Sequence, residues 1–255
     1  FNTPGLTREV TGCNNSESAA IYAQGSIDLS EKLSLTIGAR YTKEDKDAFV
    51  KNGLAFDNVY PRTGWIEGYV RDSAITFPQV LGTDTNGDDI LDAPKSADWS
   101  RFTPRLGAEY QFDDDTLLFA SYSQGFKSGT FNPRATVNES AANPEIVKSF
   151  EIGFKKDWNN SVRTNVTAFA IDHSDRQYIT VTPDPTDATV LNQNLGNIKG
   201  STSNGIEAEI TWAATRDLTF DLALGWLDSK IEEDESVATP LVGLSNTPDY
   251  TLNLA

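Results

Sequence analysis

Apolar and polar residues alternate at every step along much of this chain. From Leu33 to Thr42, Leu33, Leu35, Ile37, Ala39 and Tyr41 fall on one side of an extended backbone, and Ser34, Thr36, Gly38, Arg40 and Thr42 on the other. A period of two predicts a β-strand. The same alternation sets Phe102, Pro104, Leu106, Ala108, Tyr110 and Phe112 against Thr103, Arg105, Gly107, Glu109 and Gln111, and Ile206, Ala208, Ile210 and Trp212 against Glu207, Glu209 and Thr211. Charged mid-strand residues such as Arg40, Arg105, Glu207 and Glu209 then face water on one side of a sheet.

Nine strands are predicted, at about 19–29, 33–43, 100–112, 116–126, 145–158, 161–180, 201–214, 218–231 and 248–255. Short polar turns join them at Ser30-Glu31-Lys32, Asp113-Asp114-Asp115, Asn159-Asn160 and Thr215-Arg216-Asp217. Long loops join them at about 44–99, 127–144, 181–200 and 232–247, and residues 1–18 read as the tail of a further loop. Alternating runs of ten or more residues fit the roughly 9–11 tilted residues that cross a bilayer, whereas soluble strands usually hold about 5–6. With short turns at one end and long loops at the other, the expected fold is all-β, an antiparallel transmembrane β-barrel. An odd strand count, and an end at Ala255 inside the alternating run Tyr250, Leu252, Leu254, predict that residues 1–255 are part of such a barrel.

The bilayer face is expected to carry Leu118, Ala120 and Tyr122, then Phe150, Ile152 and Phe154, then Leu218, Phe220, Leu222, Leu224 and Trp226. Tyr41, Phe112, Trp158 and Trp212 stand near strand ends, where aromatic rings anchor at the headgroup boundary. The competing reading makes these rings the core of a soluble β-sandwich.

Composition changes this picture little but excludes other functions. No run of about 18 apolar residues occurs within the chain, so no helix carries it across a membrane. A barrel strand needs apolar residues only at alternate positions, so a mean hydropathy of -0.41 is compatible with a membrane wall. The formal charge of -16 argues against nucleic-acid binding, which needs clustered Lys and Arg. The single cysteine, Cys13, reads as a lone loop thiol or one whose partner lies outside this chain.

The segments Tyr22–Lys46, Arg101–Pro133 and Asn143–Trp158, followed by Asn194–Trp212, resemble in their order the barrel domain of TonB-dependent outer-membrane receptors. The resemblance implies a roughly 22-stranded barrel of which this chain supplies about nine strands. It further implies an N-terminal plug and TonB box upstream of Phe1, and further strands after Ala255. The implied partners are outer-membrane lipid and lipopolysaccharide, the plug, the TonB complex and a small-molecule metal chelate. The implied function is uptake of a scarce nutrient, with a ferric siderophore the first expectation and haem, cobalamin and glycans as rivals. With two open edges and no plug, the chain by itself is expected neither to transport nor to be stable. A passive porin or structural barrel is the alternative, since strand physics alone suits either.

At the rim, the resemblance makes Lys127 and Gly129 candidates for the substrate vestibule, within Gly125-Phe126-Lys127-Ser128-Gly129. Lys127 suits either an anionic chelate or a lipopolysaccharide phosphate, and the glycines also suit a backbone bend or close approach. In the 44–99 loop, Asp84, Asn86, Asp88, the Ile90 carbonyl and Asp92 repeat oxygen ligands at alternate positions, as calcium loops do. Asp89 stands where the sharp-turn glycine belongs and Lys95 where a bidentate Glu belongs, so a structural calcium and a self-solvating acidic turn both remain open. No cofactor is otherwise required. An enzyme is not expected: His173, the only histidine, and Ser174 are adjacent on a strand and point to opposite faces. Cys13 and His173 are too few for a zinc site.

Overall fold

A computed structural model of the protein describes residues 6–56, 79–159, 161–183, 191–232, 244 and 247–255. Ten strands form one antiparallel sheet: β1 (Leu6–Asp28), β2 (Leu33–Phe56), β3 (Gln79–Leu81), β4 (Lys95–Asp113), β5 (Thr116–Lys127), β6 (Glu145–Trp158), β7 (Val162–Pro183), β8 (Leu191–Ala213), β9 (Thr219–Ile231) and β10 (Tyr250–Leu254). All but β3 follow one another as a meander, and β3 pairs with β2 alongside. β1 and β10 do not pair with each other, so the sheet is open.

Local chemistry makes the short turns. The Ser30 hydroxyl accepts from the Lys32 and Leu33 amides at 3.2 and 3.1 Å, and the Asp113 carboxylate accepts from the Asp115 amide at 3.1 Å. These side chains take over amides that leave the ladder, which is why Ser and Asp favour turns. Asn159 adopts φ 50°, a left-handed conformation that asparagine tolerates better than most residues.

Register then sorts the two faces. One hydrogen-bonded row runs Leu33, Tyr110, Leu118, Phe154, Val166, Ala208, Leu224 and Leu252, apolar across eight strands. The adjacent row on the opposite face runs Ser34, Glu109, Phe119, Gly153, Thr167, Glu207, Gly225 and Thr251. Leu118, Phe150, Ile152, Trp212, Leu224 and Trp226 are 40–52 % exposed, so the apolar face is covered by no other part of the described chain. That face is no sandwich core. Its apolar belt also runs obliquely to the rows: Ile37, Leu106, Tyr122 and Phe150 lie on a row that turns polar at Asn204 and Asp228. Conversely, Trp158, Val162, Trp212 and Phe220 form an apolar row at the turn end of β6 to β9. Tilted strands in a flat bilayer require this stagger.

The strands are longer at the loop end than their alternation predicts. Residues 6–18 belong to β1, not to a loop, and β2 continues through 44–56 in register with it. β4 begins at Lys95, and the supposed loop at 181–200 contains the end of β7 and the start of β8, leaving only 184–190 between them. β2, at 24 residues, is about twice the length a crossing needs, so its outer half stands in water. There both faces are solvated or covered by loops, so nothing requires period two. Pairing across the hairpin sustains the strand instead.

Among the described residues, the only cluster of fully buried apolar side chains lies in this projecting part. Ala48 and Val50 of β2, Leu81 of β3, and Phe131 and Ala135 of the β5–β6 connection pack together at 0–2 % exposure. Residues 128–144 thus form a strap folded onto the polar face of the extended β2–β4 hairpin. The Asn52 side chain donates to the Ala135 carbonyl at 2.8 Å and the Lys95 ammonium to the Glu139 carbonyl at 2.8 Å, holding it there.

Candidate functional site

The polar face is richest in paired chemistry where β5 and β6 leave the sheet for the strap. Lys127 is the last residue of β5 and Glu145 the first of β6, and the register places them opposite each other. The Lys127 ammonium donates to Glu145 Oε1 at 2.7 Å, and His173 Nε2 lies 2.6 Å from Glu145 Oε2. Next to them, Gln177 Nε2 donates to the carbonyls of Ser128 and Asn143 at 2.8 and 3.0 Å, tying both ends of the strap to β7. On the other side Ser128 donates to Glu44, and Lys46 donates to the Gly129 carbonyl at 2.9 Å. The strap therefore bridges β2 and β7 across the polar face.

This cluster stands outside the membrane-spanning rows. On the opposite face the belt ends at the polar row Gln124, Lys148, Asp172, Thr202 and Lys230, and Glu145 lies beyond it. Burial pushes the Glu145 carboxyl up, but the Lys127 ammonium and the His173 ring outweigh it and hold the group below the ordinary glutamate range. A depressed folded-state value contributes stability that is present above the ordinary glutamate range and is lost as pH falls through the folded value. Acidification below the ordinary glutamate range is therefore expected to loosen the strap's attachment. Amide hydrogen exchange over 128–144 should accelerate there in the wild type, and the dependence should flatten in Glu145→Gln. A pH response identical in the two proteins would contradict the assignment.

Of the residues singled out by sequence, Lys127 lies on the polar face and is ion-paired rather than free. Gly129 is in close contact: a Cβ there would stand 2.2 Å from Trp99 Cζ2 and 2.4 Å from the Ala142 carbonyl. Its lack of a side chain lets the strap lie flat on the Trp99 ring. His173 and Ser174 point to opposite faces, since Ser174 donates to Asp172 at 3.0 Å while His173 meets Glu145.

The Asp84–Asp92 segment forms a compact exposed loop closed by the Thr83–Ala93 bridge. Asp84 Oδ1 accepts from the Asn86 and Gly87 amides at 3.1 and 2.7 Å, and Oδ2 from the Asp89 amide at 2.8 Å. The Gly87 amide foremost holds the Asp84 carboxyl below the usual carboxylate range. Asp88 accepts from the Ile90 amide and Asp92 from Thr85, so these carboxylates are turned to their own backbone and neighbours. Among the described residues no three His, Cys, Asp or Glu side chains converge as a metal site.

Sequence reading missed Glu145 and Gln177. The signal for Glu145 was partial: strands predicted at 116–126 and 145–158 and joined by one loop are antiparallel neighbours, which brings the residues at their loop ends near one another.

Residues 2–255 match the family described as TonB dependent receptor-like, beta-barrel. The fold is similar to that of the ferric yersiniabactin uptake receptor FyuA from Yersinia pestis, with TM-score 0.72 and 15 % identity over 97 % of this chain and 32 % of that one. It is also similar to the ferric-catecholate import receptor Fiu from E. coli K12, with TM-score 0.63 and 14 % identity over 95 % of this chain and 32 % of that one. The siderophore receptor PiuA from Acinetobacter baumannii gives TM-score 0.59 and 16 % identity over 94 % of this chain and 31 % of that one. The chain thus spans about a third of the length of these solved structures.

Proposed function

Because the chain belongs to the TonB-dependent receptor family as part of its β-barrel, we propose that it forms wall of a bacterial outer-membrane receptor that imports a scarce nutrient with energy delivered through TonB. A ferric siderophore or other iron chelate is the first substrate proposed. The family match over residues 2–255 carries this reading. The two-faced sheet supports it: the apolar belt meets outer-membrane lipid and lipopolysaccharide, and the polar face meets the plug and the passing chelate. The family is one of receptors rather than enzymes, and the polar face needs only to bind and guide.

Deleting the gene under iron limitation and measuring radioactive iron uptake from a panel of ferric siderophores tests the proposal. Uptake of at least one chelate should fall and return on complementation, and it should vanish equally in a strain lacking TonB. Uptake that persists without TonB would make the protein a passive barrel, and unchanged uptake of every chelate would remove the iron reading in favour of haem, cobalamin or glycan.

Calcium in the 84–92 loop is a separate proposal, with Asp84, Asn86, Asp88, the Ile90 carbonyl and Asp92 as ligands. Asp84 Oδ2, which accepts one amide, keeps a second lone pair for a cation. Calcium should then slow proteolysis of this loop, magnesium should not, and Asp84→Ala should abolish the difference. Equal cleavage with and without calcium would contradict it.

A further inference from the structure

Beyond the bilayer the sheet divides into two projections. The first is built from β1, β2, β3 and the start of β4, which before Arg105 pairs with β2 and not with β5. The second is the hairpin of β7 and β8 from the pair Arg176–Ile198 to the pair Pro183–Leu191. It lies past the ends of the ladders to β6, at Ser174, and to β9, at Ser201. β5 and β6, which stand between the projections, stop at Lys127 and Glu145. No ladder therefore joins the two, and since β5, β6 and β9 all belong to this chain, strands elsewhere in a barrel do not change this. A two-stranded hairpin alone is marginally stable in water. This one leaves the sheet through a joint, where the ladder passes from Ser174–Gly200 to Arg176–Ile198 with Asp175 at φ 53° and Gly200 at φ 150°. Irregularities of this kind bend a strand pair.

The strap holds on to both projections, at two places through one residue or two adjacent ones. Phe131 enters the apolar cluster with Val50 and Leu81, while the next residue, Asn132, is 1 % exposed and donates Nδ2 to the Gln193 carbonyl of β8 at 2.6 Å. Glu139 accepts the Lys95 ammonium on its carbonyl at 2.8 Å and the Leu195 amide of β8 on its carboxylate at 3.3 Å. At the end of the strap, the Asn143 amide donates to Asn197 Oδ1 at 2.7 Å, and Asn197 Nδ2 donates back to the Asn143 carbonyl at 3.0 Å. The same Nδ2 reaches the Asp175 carbonyl, at the joint, at 2.6 Å. Because one peptide unit separates Phe131 from Asn132, a strap that shifts on β2 also shifts against β8.

We propose that the strap is a coupling element, which makes the two projections hold or release as a unit. Anything that lifts it from β2 then also loosens the β7–β8 hairpin. This goes beyond the importer reading, since the coupling holds equally in a passive barrel. Hydrogen exchange of the whole protein in outer-membrane vesicles, read by mass spectrometry, tests it. Phe131→Ala cuts the strap's seat on β2 and β3 and alters no residue of β7 or β8. Amides of 176–183 and 191–198 should nevertheless exchange about tenfold faster or more, within the range of coupling between distinct sites, while 162–173 of β7 keep wild-type rates. Coupling is reciprocal, so Asn197→Ala, which cuts the hairpin side, should speed exchange over 128–144 and at Gln79–Leu81. Asn52→Ala removes the bond to the Ala135 carbonyl, leaves the apolar cluster in place and should act in the same direction more weakly. It keeps the proposal testable if Phe131→Ala does not assemble. Arg163→Gln, at a distant turn, should change neither projection. A Phe131→Ala protein whose strap exchanges faster while 176–183 and 191–198 stay at wild-type rates would overturn the proposal. Equal acceleration through 162–173 would mean a general loss of the fold, and would overturn it too.

Discussion

Replacing Gly153 with valine is expected to prevent assembly of the sheet. Gly153 lies opposite Phe119 of β5 and Thr167 of β7. A Cβ at Gly153 would stand 2.2 Å from the Val166 carbonyl and 2.6 Å from Phe119 Cζ. One obstacle is an aromatic ring that could swing aside; the other is backbone in the neighbouring strand, which cannot move without breaking the ladder. Overpacking a core costs about 1–3 kcal/mol where side chains can yield, and more is expected where they cannot. A ring lying over a cross-strand glycine also shields the backbone that glycine leaves bare, a device known to stabilise sheets. The same arrangement recurs at Phe169 and Gly205, where a Cβ would meet Phe169 Cζ and the Trp226 carbonyl, each at 2.5 Å. Gly153→Val and Gly205→Val should therefore each leave little heat-modifiable, folded protein in the outer membrane. Gly125→Ala, with nothing within 4 Å of its added Cβ, should fold as well as wild type. Normal folding of Gly153→Val would contradict the register of β5, β6 and β7.

The second large effect is expected at the strap. Phe131 is 2 % exposed and packs with Val50 and Leu81, which are fully buried. Truncating a buried phenylalanine costs about 3–5 kcal/mol. Here the loss falls on a local attachment, because the strap meets the sheet through this cluster and a few hydrogen bonds. Phe131→Ala should accelerate proteolytic cleavage within 128–144 by about a hundredfold or more while the membrane-spanning rows stay folded. An unchanged cleavage rate would show that the strap is held by something other than the Phe131 cluster.

The membrane-spanning part was legible in the sequence because the bilayer imposes the pattern. Lipid on one side and water on the other force alternation, so Leu33 to Thr42 and Glu145 to Trp158 could be placed almost to the residue. Beyond the bilayer that constraint lapses. Residues 6–18 and 44–56 show turn-forming and charged residues without period two, yet they pair in register for their whole length. Their strand character comes from a partner distant in sequence, which no local window reveals. The site was half legible for the same reason. Lys127 and Gly129 stood out within one segment. Glu145 and Gln177, which fix their surroundings, meet them only through strand pairing and the fold of the strap.

The central claim is that this sheet has one face in lipid and one in water. A nitroxide scan of residues 149–155, leaving out Gly153, in outer membranes tests it most directly, with Cys13 first replaced by serine. Even positions such as Phe150, Ile152 and Phe154 should collide preferentially with oxygen, which concentrates in lipid. Odd positions such as Ser149, Glu151 and Lys155 should instead be sheltered from oxygen and reached by a water-soluble nickel complex. Strict alternation of the two is the predicted result, and equal accessibility at neighbouring positions would contradict the account.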